Sequence, residues 1–219
     1  MEATQRQACE VLCGFCATML GSSLEEEALR SLRERADLLL ELPFTAVAEQ
    51  PARALAHILD DAADEEALLL LYHELRQDYA YLFYMVDCSK TSPYESVYRT
   101  EDRTMLGPTT LTVRAAYAAQ GFCTAGSFEV PDDHIALEFA FLAKLFERGS
   151  EGALDAARSF LAEHLLMFAP AYLASVEGAA RTPFYRAVAG VAAGTLRALI
   201  EALEVDPPVS DEAAGRRAE

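Results

Sequence analysis

Pro131-Asp132-Asp133-His134-Ile135-Ala136-Leu137-Glu138-Phe139-Ala140-Phe141-Leu142-Ala143-Lys144-Leu145-Phe146 is the stretch whose reading decides the fold. Pro131 interrupts whatever precedes it, and Asp132 or Asp133 is placed to accept the free backbone N–H groups of a first helical turn. Behind them, Ile135, Leu137, Phe139, Phe141, Leu142, Leu145 and Phe146 cover nearly every face of a helix. A helix apolar all round belongs in the middle of a bundle. Its entrance is polar. Asp132, Asp133, His134 and Glu138 crowd the first turns, and His134 and Glu138, four apart, share one face. The pattern predicts a buried central helix whose polar end opens into a binding groove.

Outward from this helix, the 3.6-residue period dominates and no segment alternates like a strand. An all-α fold follows. Helices are expected over residues 3–20, over the run behind a Ser23-Leu24-Glu25-Glu26 capping box to Pro43, over 51–59, and from Asp64 to about Phe83. Further helices are expected over 109–120, 150–167 and 170–176, and after Thr182-Pro183. From Val86 to Pro108 the period fails, yet Tyr94, Val97 and Tyr98 mark that loop as packed on the body. A second irregular link, 121–130, turns at Gly126, and the residues beyond Val205 read as a frayed tail. The expected organisation is one domain over 1–204, with halves 1–85 and 109–204 joined by a hinge at 86–108, and a tail at 205–219.

Composition narrows the function. With 52 % hydrophobic residues the chain has ample core, and its formal charge of -17 repels nucleic acid and anionic membranes while attracting a cationic partner. No uncharged apolar run reaches the ~18 residues of a membrane span, and Glu2 and Glu10 interrupt any secretory signal. Five cysteines, an odd number, fit reduced thiols in a cytoplasm.

Cys9-x3-Cys13-x2-Cys16 has a spacing that can hold three irons of a four-iron cluster, but the same positions lie on one helical face, where cysteine packs as a small apolar residue. His134 with Asp132, Asp133 and Glu138 supplies donors for a metal or for acid–base work, without a second histidine nearby in the chain. No phosphate-binding glycine loop and no nucleophile elbow is present, so no bound cofactor and no catalysis are expected. Asp78, beside Tyr79 and Tyr81 at the edge of an apolar helix face, is either a solvated charge or part of a cleft. If it borders the same cavity as Asp132–His134, that cavity suits a peptide with arginines followed by apolar side chains.

The ordered set Asp78-Tyr79-x-x-Leu82-Phe83, Pro93-Tyr94-Glu95-Ser96-Val97-Tyr98, Pro131-Asp-Asp-His134-Ile135 with Glu138-Phe139-x-Phe141-Leu142, and then Phe160-Leu161-x-x-His164-Leu165, Ala169-Pro170 and Phe184-Tyr185 resembles the TorD/DmsD family of chaperones for molybdenum-cofactor oxidoreductases. The resemblance implies a single TorD-like bundle of eight or nine helices that is not an enzyme. It implies cytoplasmic binding of the twin-arginine leader of a molybdopterin oxidoreductase precursor, with no nucleic acid and no membrane insertion, by a monomer or a domain-swapped dimer. The implied groove holds Asp78, Tyr79, Phe83, Tyr94, Ser96, Tyr98, Pro131, Asp132, Asp133, His134 and Glu138. Some members bind guanine nucleotide weakly; nothing in this sequence supports it. The chain departs from the pattern in its extra aspartate, PDDH for PDH, in the missing Gly-Pro after Phe83, and in having no tryptophan, Phe168 standing where one is common. The alternatives are a nitrate-reductase-type assembly chaperone that binds the mature enzyme, and a small iron–sulfur or metal protein using Cys9, Cys13 and Cys16.

Overall fold

The computed structural model describes residues 1–84, 91–124 and 130–206. Among these, the chain is all-α: α1 (Ala3–Gly21), α2 (Glu26–Arg33), α3 (Phe44–Asp61), α4 (Glu65–Phe83), α5 (Glu95–Arg99), α6 (Pro108–Ala119), α7 (Ile135–Arg148), α8 (Glu151–Glu163), α9 (Ala169–Ala179) and α10 (Pro183–Leu203). Two 3-10 turns, Ala36–Leu40 and Leu165–Met167, complete it. The described residues form ten α-helices, against the eight or nine expected, because the expected loop contains α5. The expected turn at Gly126, residues 86–90 of the hinge and 207–219 of the tail lie outside the described residues.

The helix starts follow from local chemistry, with two corrections. Asp64, Ser150 and Thr182 cap α4, α8 and α10 with side-chain oxygens that accept a backbone N–H of the first turn. At α7, however, the cap is His134, whose Nδ1 accepts from Ala136 N–H at 3.1 Å; both aspartates are occupied elsewhere. The Ser23–Glu26 capping box does not form either. Ser23 Oγ is buried without a partner, and Glu25 precedes α2 with no side-chain cap. The expected continuous helix to Pro43 breaks at Arg35, so that Ala36 and Leu39 turn into the core while Leu38 and Leu40 remain outside. In α3 the break at Ala48 places Pro51 in the first turn of the following segment, where its missing N–H costs no hydrogen bond.

The core is one contiguous cluster shared by α7 and α10. α7 lies along α1 and against α8, and α10 lies along α3, α9 and α1. The expectation that α7 is enclosed all round is therefore corrected. It buries Ile135, Phe139, Phe141, Leu142, Leu145 and Phe146, but leaves Leu137 and Ala140 half-exposed and Lys144 exposed. α10 approaches α3 closely because Gly190 faces Pro51 and Gly194 faces the Val47 backbone, where an added Cβ would collide. No single described helix is long and apolar enough to cross a membrane; α8 and α9 pass such a test only as a pair bent by 46°.

Candidate functional site

The site grows from the link before α7. Residues 131–135 run beside Pro93–Ser96, and a single antiparallel bridge joins Tyr94 to His134. Ile135 N–H donates to Pro93 O at 2.8 Å and Glu95 N–H donates to Asp133 O at 2.9 Å. Asp133 then locks this seam. One carboxylate oxygen accepts from Ser96 N–H at 2.8 Å, and the other accepts from Thr110 Oγ1 at 2.9 Å. Asp132 turns the other way, pairing with Arg114 and accepting from Thr124 Oγ1 at 2.6 Å, while its carbonyl accepts from Tyr117 Oη at 3.0 Å. So the two aspartates divide the work: Asp133 fastens α5 and α6, and Asp132 fastens α6 and the following link. Pro131 O accepts from His134 N–H and closes the turn.

Asp78 plays the same part at the other end. It is 2 % exposed, against both the solvated and the guanidinium-clamping expectations. Its oxygens accept from Arg181 N–H at 3.1 Å, Thr182 N–H at 2.7 Å and Thr182 Oγ1 at 2.6 Å. α4 thereby holds the α9–α10 turn through three donors to the one buried carboxylate. Asp78, Asp132 and Asp133 are internal fasteners in this structure, because a carboxylate buried here must be satisfied by donors within the fold.

Glu138 differs. It is fully buried and neither oxygen has a hydrogen-bond partner. Burial, reinforced by Glu95 and Asp133, keeps its proton on far above the usual carboxylate range, with Arg99 opposing weakly. Glu95 itself, from α5, is fully buried and bound by Arg99 at 2.8 Å and by His164 Nδ1 at 3.0 Å. His134 is also desolvated, its pKa pushed down to about 4, so it is a neutral cap at ordinary pH.

Between the two fasteners lies a cluster of rings. Tyr79 packs on Phe83 at 4.5 Å, Tyr84 at 5.5 Å and Tyr185 at 6.0 Å between centroids. Phe83 meets Tyr172 at 6.4 Å, and the Tyr94 ring stands on edge to His134 at 5.2 Å. Tyr98 packs on Phe168 at 5.7 Å. Tyr172 and Tyr185 are fully buried, and neither hydroxyl has a hydrogen-bond partner among the described residues. Phe83, Tyr94 and Tyr98 are half-exposed, and Tyr84 is 69 % exposed. The cluster thus runs from a buried interior at Tyr172 and Tyr185 to solvent at Tyr84, and the Tyr94–His134 pair sits on the seam.

The structure brings Tyr79 and Phe83 together in this cluster, packs Tyr94 on His134 and Tyr98 on Phe168, and places Ser96, Pro131, Asp132 and Asp133 in the supporting seam, with Glu138 behind it. Sequence reasoning did not single out Glu95, Thr110, Tyr172 or Thr182 as site residues. Of these, Thr182 carried the signal of a helix cap before Pro183, and the Glu95–Arg99 spacing of four that of an ion pair on one helical face. Cys9, Cys13 and Cys16 are buried along α1, and Cys16 Sγ approaches Thr195 Oγ1 at 3.7 Å. Burial pushes the Cys9 thiol up to about 11 and the Cys16 thiol up to about 12. A cluster would need these groups as thiolates, and their apolar packing opposes that. Among the described residues, no three His, Cys, Asp or Glu side chains are grouped to hold a metal.

Comparison with known proteins agrees with this architecture. The family model described as nitrate reductase delta subunit matches residues 45–174, from α3 into α9. The chaperone protein YcdY of Escherichia coli (strain K12) is 29 % identical over 133 residues, 61 % of this chain and 67 % of that protein. The chaperone protein TorD of Vibrio cholerae serotype O1 is 32 % identical over 107 residues, 45 % of this chain and 48 % of that protein. The match thus spans about two thirds of the first relative and about half of the second. On these grounds the chain belongs to the nitrate reductase delta subunit family, as a TorD-type maturation chaperone and not an enzyme.

Proposed function

We infer that this protein binds the twin-arginine leader of a molybdopterin oxidoreductase precursor in the cytoplasm and holds the precursor back from export until its cofactor is inserted. The observation that carries the reading is the ring cluster around Tyr79, with Phe83 half-exposed and Tyr84 exposed at its edge. Rings offer large apolar area at little cost in side-chain freedom. The apolar run of a leader fits the exposed rings. The arginine pair is drawn by the charge of -17, which raises the encounter rate more than the final affinity. Asp78, Asp132 and Asp133 act in this reading as positioning residues: they hold the segments that carry the rings.

Calorimetry with a twin-arginine leader peptide, and with the same peptide carrying Ala-Ala for Arg-Arg, tests it. The expected result is binding that weakens with salt and with loss of the arginines. Equal affinity for both peptides sinks the leader reading. A second reading, an assembly chaperone for the mature enzyme, is favoured by the description of the matching family model. It predicts binding to the folded catalytic subunit after its leader has been removed.

A further inference from the structure

Asp78 fixes one residue whose side chain the fold does not consume. It accepts the backbone N–H of Arg181 at 3.1 Å, and the Arg181 guanidinium then lies over the Tyr81 ring, its central carbon 3.5 Å from the ring centre. Asp78 and Tyr81, three apart, share a face of α4. The other such stacks among the described residues are looser: 4.8 Å on Phe122, 5.6 Å on Tyr72 and 5.9 Å on Tyr98. Arg181 is exposed and Tyr81 half-exposed. Among the described residues Arg30, Arg53, Arg99, Arg114 and Arg158 pair with carboxylates, and Arg181 does not. Its charge rests on the ring face, and a stack of that kind in contact with water is weak enough to exchange.

The place suits a cation for a second reason. Tyr81 lies in the last turn of α4, where the helix dipole presents its negative end, and α4 has no basic residue of its own in that turn. Arg181 supplies the charge from a distant part of the chain. Tyr84, three residues beyond Tyr81 and still in helical conformation, continues the same face and joins the ring cluster through Tyr79. We propose that Tyr81 and the last turn of α4 form a guanidinium-binding subsite, which Arg181 occupies until an arginine of a client leader displaces it. A planar guanidinium lies flat on a ring face and still directs its N–H fork outward, whereas a lysine ammonium is a point charge that keeps its water. The inference rests on leader binding and gives the arginine pair a place that the buried aspartates do not. Arg181 is in effect a competitor built into the chain: apparent affinity falls by the fraction of time for which the ring is covered.

The test is calorimetry of the full chain with a twin-arginine leader peptide and with its Lys-Lys and Ala-Ala counterparts. Arg181→Ala removes the competitor and keeps the backbone N–H that Asp78 holds. Arg76→Ala, which takes the same charge from α4 at the looser Tyr72 stack, controls for charge alone. The Arg-Arg peptide is expected to bind Arg181→Ala about fivefold more tightly than the wild type, and the other two peptides to gain less than about twofold. Arg76→Ala should leave all three affinities near wild type. Tyr81→Leu should weaken the Arg-Arg peptide and abolish the gain from Arg181→Ala in the double variant, whereas Tyr81→Phe, which keeps the ring face, should preserve that gain. Unchanged or weaker Arg-Arg binding by Arg181→Ala overturns the proposal, as does an equal gain in Arg76→Ala, an equal gain for Lys-Lys, or a gain that survives Tyr81→Leu. A lowered unfolding midpoint in Arg181→Ala at unaltered affinity makes the stack a brace of the fold and also overturns it. The two readings fail separately: a wild type that prefers Arg-Arg to Ala-Ala, with no gain in Arg181→Ala, ends this inference alone, and a chain that distinguishes the peptides in no variant ends both.

Discussion

Asp133 and Glu138 stand five residues apart at the entrance to α7, both buried, and they are opposites. Asp133 holds Ser96 N–H and Thr110 Oγ1 and so ties two distant segments to the helix. Glu138 holds nothing and lies against Glu95 and Asp133. The same side-chain chemistry is a fastener where donors surround it and a proton-bearing burden where they do not. What separates the two environments is the neighbouring chain: Asp133 faces free N–H and hydroxyl donors, whereas Glu138 faces other carboxyl groups and the Tyr117 ring.

The sharpest break of this comparison comes from removing fasteners. Asp78→Ala leaves two backbone N–H groups and the Thr182 hydroxyl without their partner, and it should cost about 3 kcal/mol in chemical denaturation. Asp133→Ala orphans Ser96 N–H and Thr110 Oγ1 and should cost about 2 kcal/mol. If either variant unfolds at the wild-type midpoint, that residue is not a fastener.

Glu138→Gln should act in the other direction. The folded pKa of Glu138 is raised above its unfolded value, so its contribution to stability is complete below the ordinary glutamate range and is lost as pH rises toward the folded value. Wild-type stability should therefore fall with rising pH by up to about 1.4 kcal/mol per unit in that window, and the glutamine variant should not show this fall. A wild type and variant with parallel pH profiles would contradict the burden assigned to Glu138. His134 gives a smaller effect of opposite slope. Its folded pKa is depressed to about 4 from 6.5, so its contribution is present above about pH 6.5 and is lost as pH falls toward 4. His134→Asn, which keeps a cap at α7, should remove this acid-side decline.

Much of this architecture could be read from the chain. The caps at Asp64, Ser150 and Thr182 and the apolar stripes of α1, α4, α7 and α10 all follow from short-range rules. The site was less legible. Asp78 and Asp133 stood out as charged residues beside rings, but their partners lie 103 and 37 residues away, and no local period encodes that pairing. Tyr172 carried no signal in the sequence, and Tyr185 stood out only through the family resemblance; the tertiary arrangement leaves both hydroxyls unpartnered among the described residues. The Ser23 capping box, a sound local signal, does not form, and Ser23 Oγ is buried without a partner.

If the carboxylates build the site and the rings do the binding, then the two kinds of residue must separate under mutation. The decisive measurement is the affinity for a twin-arginine leader of Tyr84→Ser, at a site 69 % exposed, set beside its unfolding midpoint. The account predicts an unchanged midpoint and leader binding weakened about tenfold. Wild-type affinity in Tyr84→Ser at an unchanged midpoint would contradict it.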